Sequence, residues 1–361
     1  MTEGNHRLGR VRAFMDDRKL DALLLAGGPN VRWLTGFTGS SGAALVGREW
    51  ASFITDFRYV EQASDEIGQG FQTVISEGAL RRSIAAVVGS NSVQRLGFDS
   101  EDLSVDSRDQ LEDVLPAEVE LVPQKGVSAA LRAVKDAAEV EAIQTAATLG
   151  DRVLTAVLET GLLGRTEVEI AADLERRARA LGAEAMSFPS IVAAGAHGAL
   201  PHAQPKHEAL SSGQLVVIDW GVVVGGYCSD CTRTVALGAV SDHAKEVYEI
   251  VLSAQQAGVA ALRPGPTGRE IDAVSRDLID DAGFGEHFGH GLGHGVGLEI
   301  HEAPTLGKTG DVALEEGMVV TVEPGIYLAG ELGIRIEDLL VVTADGANAM
   351  THLPLGLIEV S

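Results

Sequence analysis

The chain has 361 residues, 45% of them hydrophobic and 22% charged, which is the profile of an ordinary globular protein with room for two domains. A formal charge of −24 excludes the basic footprint that nucleic acid or an anionic membrane surface would require. No apolar run reaches the length of about 18 residues expected of a transmembrane helix, and the opening MTEGNHRLGRVRAFMDDRK mixes charges where a signal peptide needs an apolar core. A cytoplasmic enzyme is expected.

Residues 7–126 alternate short helical and strand-like pieces. Leu8, Val11, Phe14 and Met15 recur at helical spacing, and Asp21–Ala26 reads as a buried strand. Gly27-Gly-Pro-Asn30 breaks the chain, and further strands are expected at Ala43–Val46, Ala51–Thr55, Phe71–Ile75, Val93–Phe98 and Val119–Val122. Helices near Leu80–Val88 and Asp106–Leu115 separate some of them, giving an α/β domain over residues 1–126. Gly36-Phe-Thr-Gly-Ser-Ser-Gly42 lacks the GK[ST] ending of a phosphate loop and is read as a turn.

Residues 127–361 form the second domain. Residues 128–160 read as one long Ala/Leu/Val-rich helix ended by Gly161, and TEVE at Thr166 offers a capping box for the next, which runs to about Leu181. The remainder is strand-rich, with helices expected at about Asp242–Leu262 and Gly268–Ala282. Cys228 and Cys231 form a CSDC tetrad inside a strand-like run; with no second CxxC to complete a zinc site, they are read as small core thiols.

The segment from Gly289 to Glu302, GHGLGHGVGLEIHE, holds His290, His294 and His301, with glycine at every second position from Gly289 to Gly297. A helical zinc pair would have to carry five glycines, each costing about 1 kcal/mol against alanine. An extended, closely approached backbone is expected instead.

Four carboxylates end or begin apolar strands. Gln214–Asp219 and Tyr227–Thr234 form a candidate hairpin; with Val224 and Gly225 as turn residues, Asp219 faces Asp230. Gly317–Glu323 and Ile334–Glu337 form a second; centred on Gly330, it places Glu323 opposite Glu337. Two adjacent carboxylate pairs repel one another unless cations neutralise them. Two divalent ions would do so. Four carboxylates and one histidine make an oxygen-rich donor set suited to Mn²⁺, with Co²⁺ or Zn²⁺ as substitutes.

Asp219, Asp230 within SDCTRT, His294 within GHGLGHGVGLEIHE, Glu323 within VEPGIY and Glu337 within RIED resemble the five metal ligands of the M24 metallopeptidases, and of the Xaa-Pro peptidases (prolidase and aminopeptidase P) in particular. The resemblance covers essentially the whole chain. It implies an α/β (α+β) fold, with a creatinase-like N-terminal domain followed by a C-terminal pita-bread domain in which two pseudo-symmetric halves surround a curved antiparallel sheet. It further implies that Asp219 chelates one metal, Asp230 and Glu337 bridge both, and His294 and Glu323 complete the other site. Glu323 would be the general base. His202 in Ala199-Leu-Pro-His202 and His301 resemble the substrate histidines, and His290 falls on another active-site position. Arg335 shares a strand face with Glu337 and would brace the carboxylates. His197 is read as a loop residue, and His207, His243, His287 and His352 as surface or packing residues.

The resemblance implies proline-containing peptides as substrates and a homodimer. Some prolidases carry an arginine four residues beyond the second substrate histidine, for the dipeptide's carboxylate; that position is Thr305 here, with Arg48 and Arg58 as possible substitutes. Action on dipeptides and on longer Xaa-Pro peptides is therefore open. The alternatives are a methionine aminopeptidase-like enzyme and a non-catalytic pita-bread binding module. The VEPGIY…RIED spacing and the presence of all five ligands favour the Xaa-Pro branch.

Overall fold

The computed structural model describes residues 3–361, with side chains from His6 onward, and divides into two compact units, Met1–Arg132 and Ala133–Ser361. The first unit is a six-stranded mixed sheet in the order 72–76, 51–56, 42–47, 22–25, 95–99 and 120–124, whose central strand Ala22–Leu25 is buried along its length. Helices Glu3–Asp17, Leu80–Ser90 and Val105–Glu112 pack about it as the spacing predicts. Two short helices, Gly28–Thr35 and Val60–Glu66, are additional to the sequence reading. Gly27-Gly-Pro starts the first of these rather than breaking the chain: proline sits in its opening turn, where its missing N–H costs nothing, and Gly36 ends it at φ +80°.

The second unit repeats one theme twice. A helix pair, Ala137–Glu159 and Glu167–Ala180, covers the strands Ile191–Ala194, Leu215–Trp220 and Cys231–Leu237. A second pair, Asp242–Ala261 and Gly268–Asp281, covers Gly293–Gly295, Val319–Val322 and Asp338–Thr343. Thr166 and Thr267 open the second helix of each pair with the same capping box, accepting from the N–H of Glu169 and Glu270 respectively. Thr232 pairs with Glu337 where the two sheets meet.

The expected long helix over residues 128–160 is instead two, Val127–Arg132 and Ala137–Glu159. Asp136 interrupts it by capping the second helix, accepting from the Glu139 N–H while the Glu139 side chain accepts from its own. The two hairpins differ in outcome. Around Gly330 the register is as expected: Gly325 faces Arg335, Leu328 faces Leu332, and beyond Glu323 and Glu337 the ladder resumes with Val322 opposite Asp338. In the first hairpin Val224 instead pairs with Tyr227, so the turn residues are Gly225 and Gly226, at φ +58° and +81°. Two consecutive left-handed residues suit a tight hairpin turn, and glycine takes them with no Cβ penalty. Asp219 therefore faces Thr232, and Asp230 is its diagonal rather than its direct neighbour.

Candidate metal centre

Despite that shift, one carboxylate oxygen each from Asp219, Asp230 and Glu337 lies within 4.8 Å of the others, and all three residues are buried. His294 joins them, its Nε2 lying 3.5 Å from Asp230 Oδ2 and 3.4 Å from Glu323 Oε1. The five expected ligands thus converge at the junction of the two sheets. They line a cleft of about 440 Å³ together with His202, His290 and His301, so all eight sequence-selected residues share one cavity.

The glycine-rich segment supplies His294 in the way its spacing predicts. Gly293–Gly295 is a strand, and a Cβ at Gly293 would lie 2.1 Å from the Thr321 carbonyl oxygen, one at Gly295 2.2 Å from that of Ala303. The neighbouring backbones leave no room for side chains on either side of the histidine. The His294 Nδ1 hydrogen-bonds the Gly295 carbonyl at 3.0 Å, so the proton sits on Nδ1 and Nε2 presents its lone pair to the carboxylates.

Charge is crowded here. Burial pushes the Asp230 and Glu337 carboxyls well above their usual range, with the Glu337 charge acting on Asp230 and those of Glu323 and Asp219 on Glu337. Burial raises Glu323 as well, and lowers His294 and His290. Asp219 Oδ1 and Glu337 Oε1 are buried without any hydrogen-bond partner, each such omission costing about 1–3 kcal/mol. Orphaned oxygens in a cluster of mutually repelling carboxylates fit divalent cations, and the donor set is the oxygen-rich one read from the sequence.

The supporting contacts lie on strands distant in sequence. Arg335 donates to Asp219 Oδ2 at 2.6 Å, to the Tyr327 hydroxyl at 2.8 Å and to Thr232 Oγ1 at 3.2 Å, bracing the cluster as expected. Burial disfavours its cation, but Tyr327, Asp219 and Glu323 more than offset that. Thr232 Oγ1 in turn donates to Glu337 Oε2 at 2.6 Å, and Thr321 Oγ1 to Glu323 Oε1 at 3.1 Å. Sequence reading missed Tyr327, Thr232 and Thr321. Thr321 and Glu323 are two apart, and Tyr327 and Arg335 are diagonal neighbours in the Gly330 hairpin, so both of those signals were available; the Thr232 contacts span the two sheets and leave no local trace.

The histidines divide by their partners. His290 is engaged at both ring nitrogens, through Nδ1 with the Gly291 carbonyl at 2.8 Å and through Nε2 with the Tyr327 hydroxyl at 2.9 Å. His202 and His301 are exposed to the cleft, and His301 meets the His294 ring edge-on at 4.4 Å. His197, read as a loop residue, lies in a short 3-10 turn with its side chain buried against Glu167. Cys228 and Cys231 are both buried, and burial pushes the Cys231 thiol well up, as suits packing residues. Thr305 lines the cleft, and Arg335 is the only lysine or arginine among the lining residues.

Known proteins resemble the chain over nearly its whole length. Residues 141–344 match metallopeptidase family M24, and residues 7–134 match the creatinase/prolidase N-terminal domain. An uncharacterized peptidase of Bacillus subtilis is 41% identical over 352 residues, covering 98% of this chain and 99% of the relative. A solved Xaa-Pro dipeptidase from Bacillus anthracis superposes with a TM-score of 0.96 at 40% identity, over 99% of this chain and 100% of that one. An X-Pro aminopeptidase from Thermotoga maritima does so with a TM-score of 0.88 at 35% identity, over 95% and 98%. With family matches to both of its units and near-complete coverage by these relatives, the chain belongs to metallopeptidase family M24.

Proposed function

We propose that this protein is a cytoplasmic, homodimeric exopeptidase that hydrolyses the Xaa-Pro bond at the N-terminus of short peptides, using two divalent ions. The observation that carries the proposal is the convergence of five ligand side chains on buried carboxylate oxygens that have no protein partner. The names of the similar solved enzymes support the Xaa-Pro substrate class. Asp219 would chelate one ion, Asp230 and Glu337 would bridge, and His294 with Glu323 would complete the second site. Mn²⁺ suits four carboxylates and one imidazole best, with Co²⁺ or Zn²⁺ as substitutes. When bound, such a pair of ions acidifies a water and stabilises the charge developing on the scissile carbonyl oxygen.

The chain's own groups supply the rest. Glu323 takes the proton of the attacking water on its carboxylate and returns it to the departing proline nitrogen. His202 and His301, exposed in the cleft, donate hydrogen bonds to the scissile carbonyl as negative charge grows on it. Neutral His290, at the cleft wall, accepts from the Tyr327 hydroxyl, which accepts from Arg335, and this chain fixes Arg335 against Asp219.

Peptide length follows from charge. A strict dipeptidase needs a positioned cation for the carboxylate that directly follows proline. Among the lining residues Arg335 is already committed to Asp219, and Thr305 offers only a hydroxyl. We therefore infer cleavage of both Xaa-Pro dipeptides and longer Xaa-Pro-Yaa peptides. The test is kcat/KM for Ala-Pro and Ala-Pro-Ala on protein of measured metal content, before and after chelation. Full activity without metal would overturn the mechanism. A dipeptide preference beyond about a hundredfold, roughly 2.7 kcal/mol, would overturn the inference on length.

A further inference from the structure

The segment carrying His202 is tied at both ends to one buried carboxylate. Glu167 is the first residue of helix Glu167–Ala180 and is only 4% exposed. Its Oε1 accepts from the Ala194 backbone N–H at 2.8 Å, and its Oε2 from the Lys206 N–H, also at 2.8 Å. The His197 Nδ1 lies 3.0 Å from one oxygen and 2.9 Å from the other. A carboxylate only accepts, so this nitrogen carries a proton. Three donors from residues 194, 197 and 206 thus converge on one side chain, closing the intervening chain into a loop that presents Pro201, His202 and Gln204 to the cleft. The far side of the loop is also seated: Arg335 donates to the Pro201 carbonyl at 3.3 Å, and a Cβ at Gly333 would lie 1.8 Å from the Gly198 carbonyl oxygen.

The corresponding position in the second half of the unit shows that the carboxylate is not needed to start such a helix. Thr267 caps helix Gly268–Asp281 with the same box, yet the residue that follows is Gly268, where a Cβ would lie 2.0 Å from the Thr305 carbonyl oxygen. One half packs backbone directly on the helix start; the other places an anionic anchor there, and that half carries the His202 loop.

We propose that Glu167, with His197 as its side-chain partner, is a positioning residue that holds the loop bearing His202 in register with the metal centre. The inference rests on the metallopeptidase reading for its catalytic consequence and on the fold alone for its structural one. Because His202 is assigned to the carbonyl in the transition state, loosening the loop should lower kcat while leaving KM and metal content unchanged.

Glu167→Ala removes all three acceptor contacts, whereas Glu167→Gln keeps one carbonyl oxygen. Metal-loaded full-length variants are compared by hydrogen exchange of the amides of Ala194 and Lys206, by metal content, and by kcat and KM on Ala-Pro. Exchange of both amides should accelerate at least about tenfold in Glu167→Ala, and kcat should fall by about 10–100-fold, with Glu167→Gln intermediate. In a His202→Ala background the further loss of kcat should vanish. Unchanged exchange overturns the anchor, and this readout is independent of any hydrolysis. If instead the wild type fails to cleave Xaa-Pro peptides, the substrate reading fails and the anchor is still decided. Loss of metal, or a full kcat penalty persisting without His202, overturns the positioning role. Should Glu167→Ala fail to fold, His197→Phe, which removes a single donor, is read in the same way.

Discussion

Thr232→Val isolates one hydroxyl that stands between the two carboxylate strands. The side chain is fully buried, and valine matches its volume while removing its oxygen. That oxygen donates its only proton to Glu337 Oε2 at 2.6 Å and accepts from Arg335 Nε at 3.2 Å. The other oxygen of Glu337 has no partner, so the substitution leaves the carboxylate without a side-chain donor. A hydrogen bond to a charged group contributes about 1.5–3 kcal/mol, and losing a contact that orients a metal ligand typically lowers affinity by about 10–100-fold. At about 1.4 kcal/mol per tenfold, the two figures agree. The expected outcome is a Kd for Mn²⁺ raised by about 10–100-fold, measured by competition with a chromophoric chelator, with the fold retained by circular dichroism. A Kd within about threefold of wild type would refute the reasoning, since Glu337 would then be oriented by something other than Thr232.

Chelation should abolish activity and Mn²⁺ or Co²⁺ should restore it, because the ligands exchange protons for metal; Asp230→Ala and Glu337→Ala should fail to retain two ions by elemental analysis. His202→Ala and His301→Ala should keep both ions and lose on the order of 10²–10³-fold in kcat, and either protein arriving depleted of metal would reassign that histidine as a ligand. Cys228→Ser and Cys231→Ala should turn over normally and show any cost in thermal stability; rapid inactivation by a thiol reagent, prevented by substrate, would contradict the buried, high-pKa thiol. Gly293→Ala forces a Cβ against the Thr321 carbonyl and should destabilise by about 1–3 kcal/mol, read from denaturant midpoints, with metal affinity falling as His294 shifts.

How much of this was legible depended on the range of the interaction. The clustering of the four acids with His294 and the fold family were readable because each acid or histidine sits in a short motif on an apolar strand. The Gly330 hairpin was readable because a single glycine marks its centre and the pairing continues on both sides of the carboxylates. The other hairpin misled because centring the turn on Val224 and Gly225 put a β-branched residue where positive φ is needed; the structure keeps Val224 in the ladder and places Gly225 and Gly226 in the turn. The break at Asp136 was signalled by Glu139 three residues on, but the many alanines and leucines on both sides of it read as one continuous helix and mask it. Tyr327 was readable only in part: its contact with Arg335 follows from the Gly330 hairpin, whereas its contact with His290, 37 residues away, depends on a hydroxyl whose direction only the folded sheet defines.

The distribution of the cluster along the chain also fixes when it can come into being. Arg335 reaches Asp219 across 116 residues of sequence. At roughly 5–20 residues per second of synthesis, the first acids leave the ribosome about 6–23 s before the arginine and the last carboxylate that complete their surroundings. Neither sheet alone gathers all five side chains: Asp219 and Asp230 emerge first as a diagonal pair, and Glu323 and Glu337 follow in the second hairpin. The complete cluster therefore assembles only once nearly the whole chain has emerged.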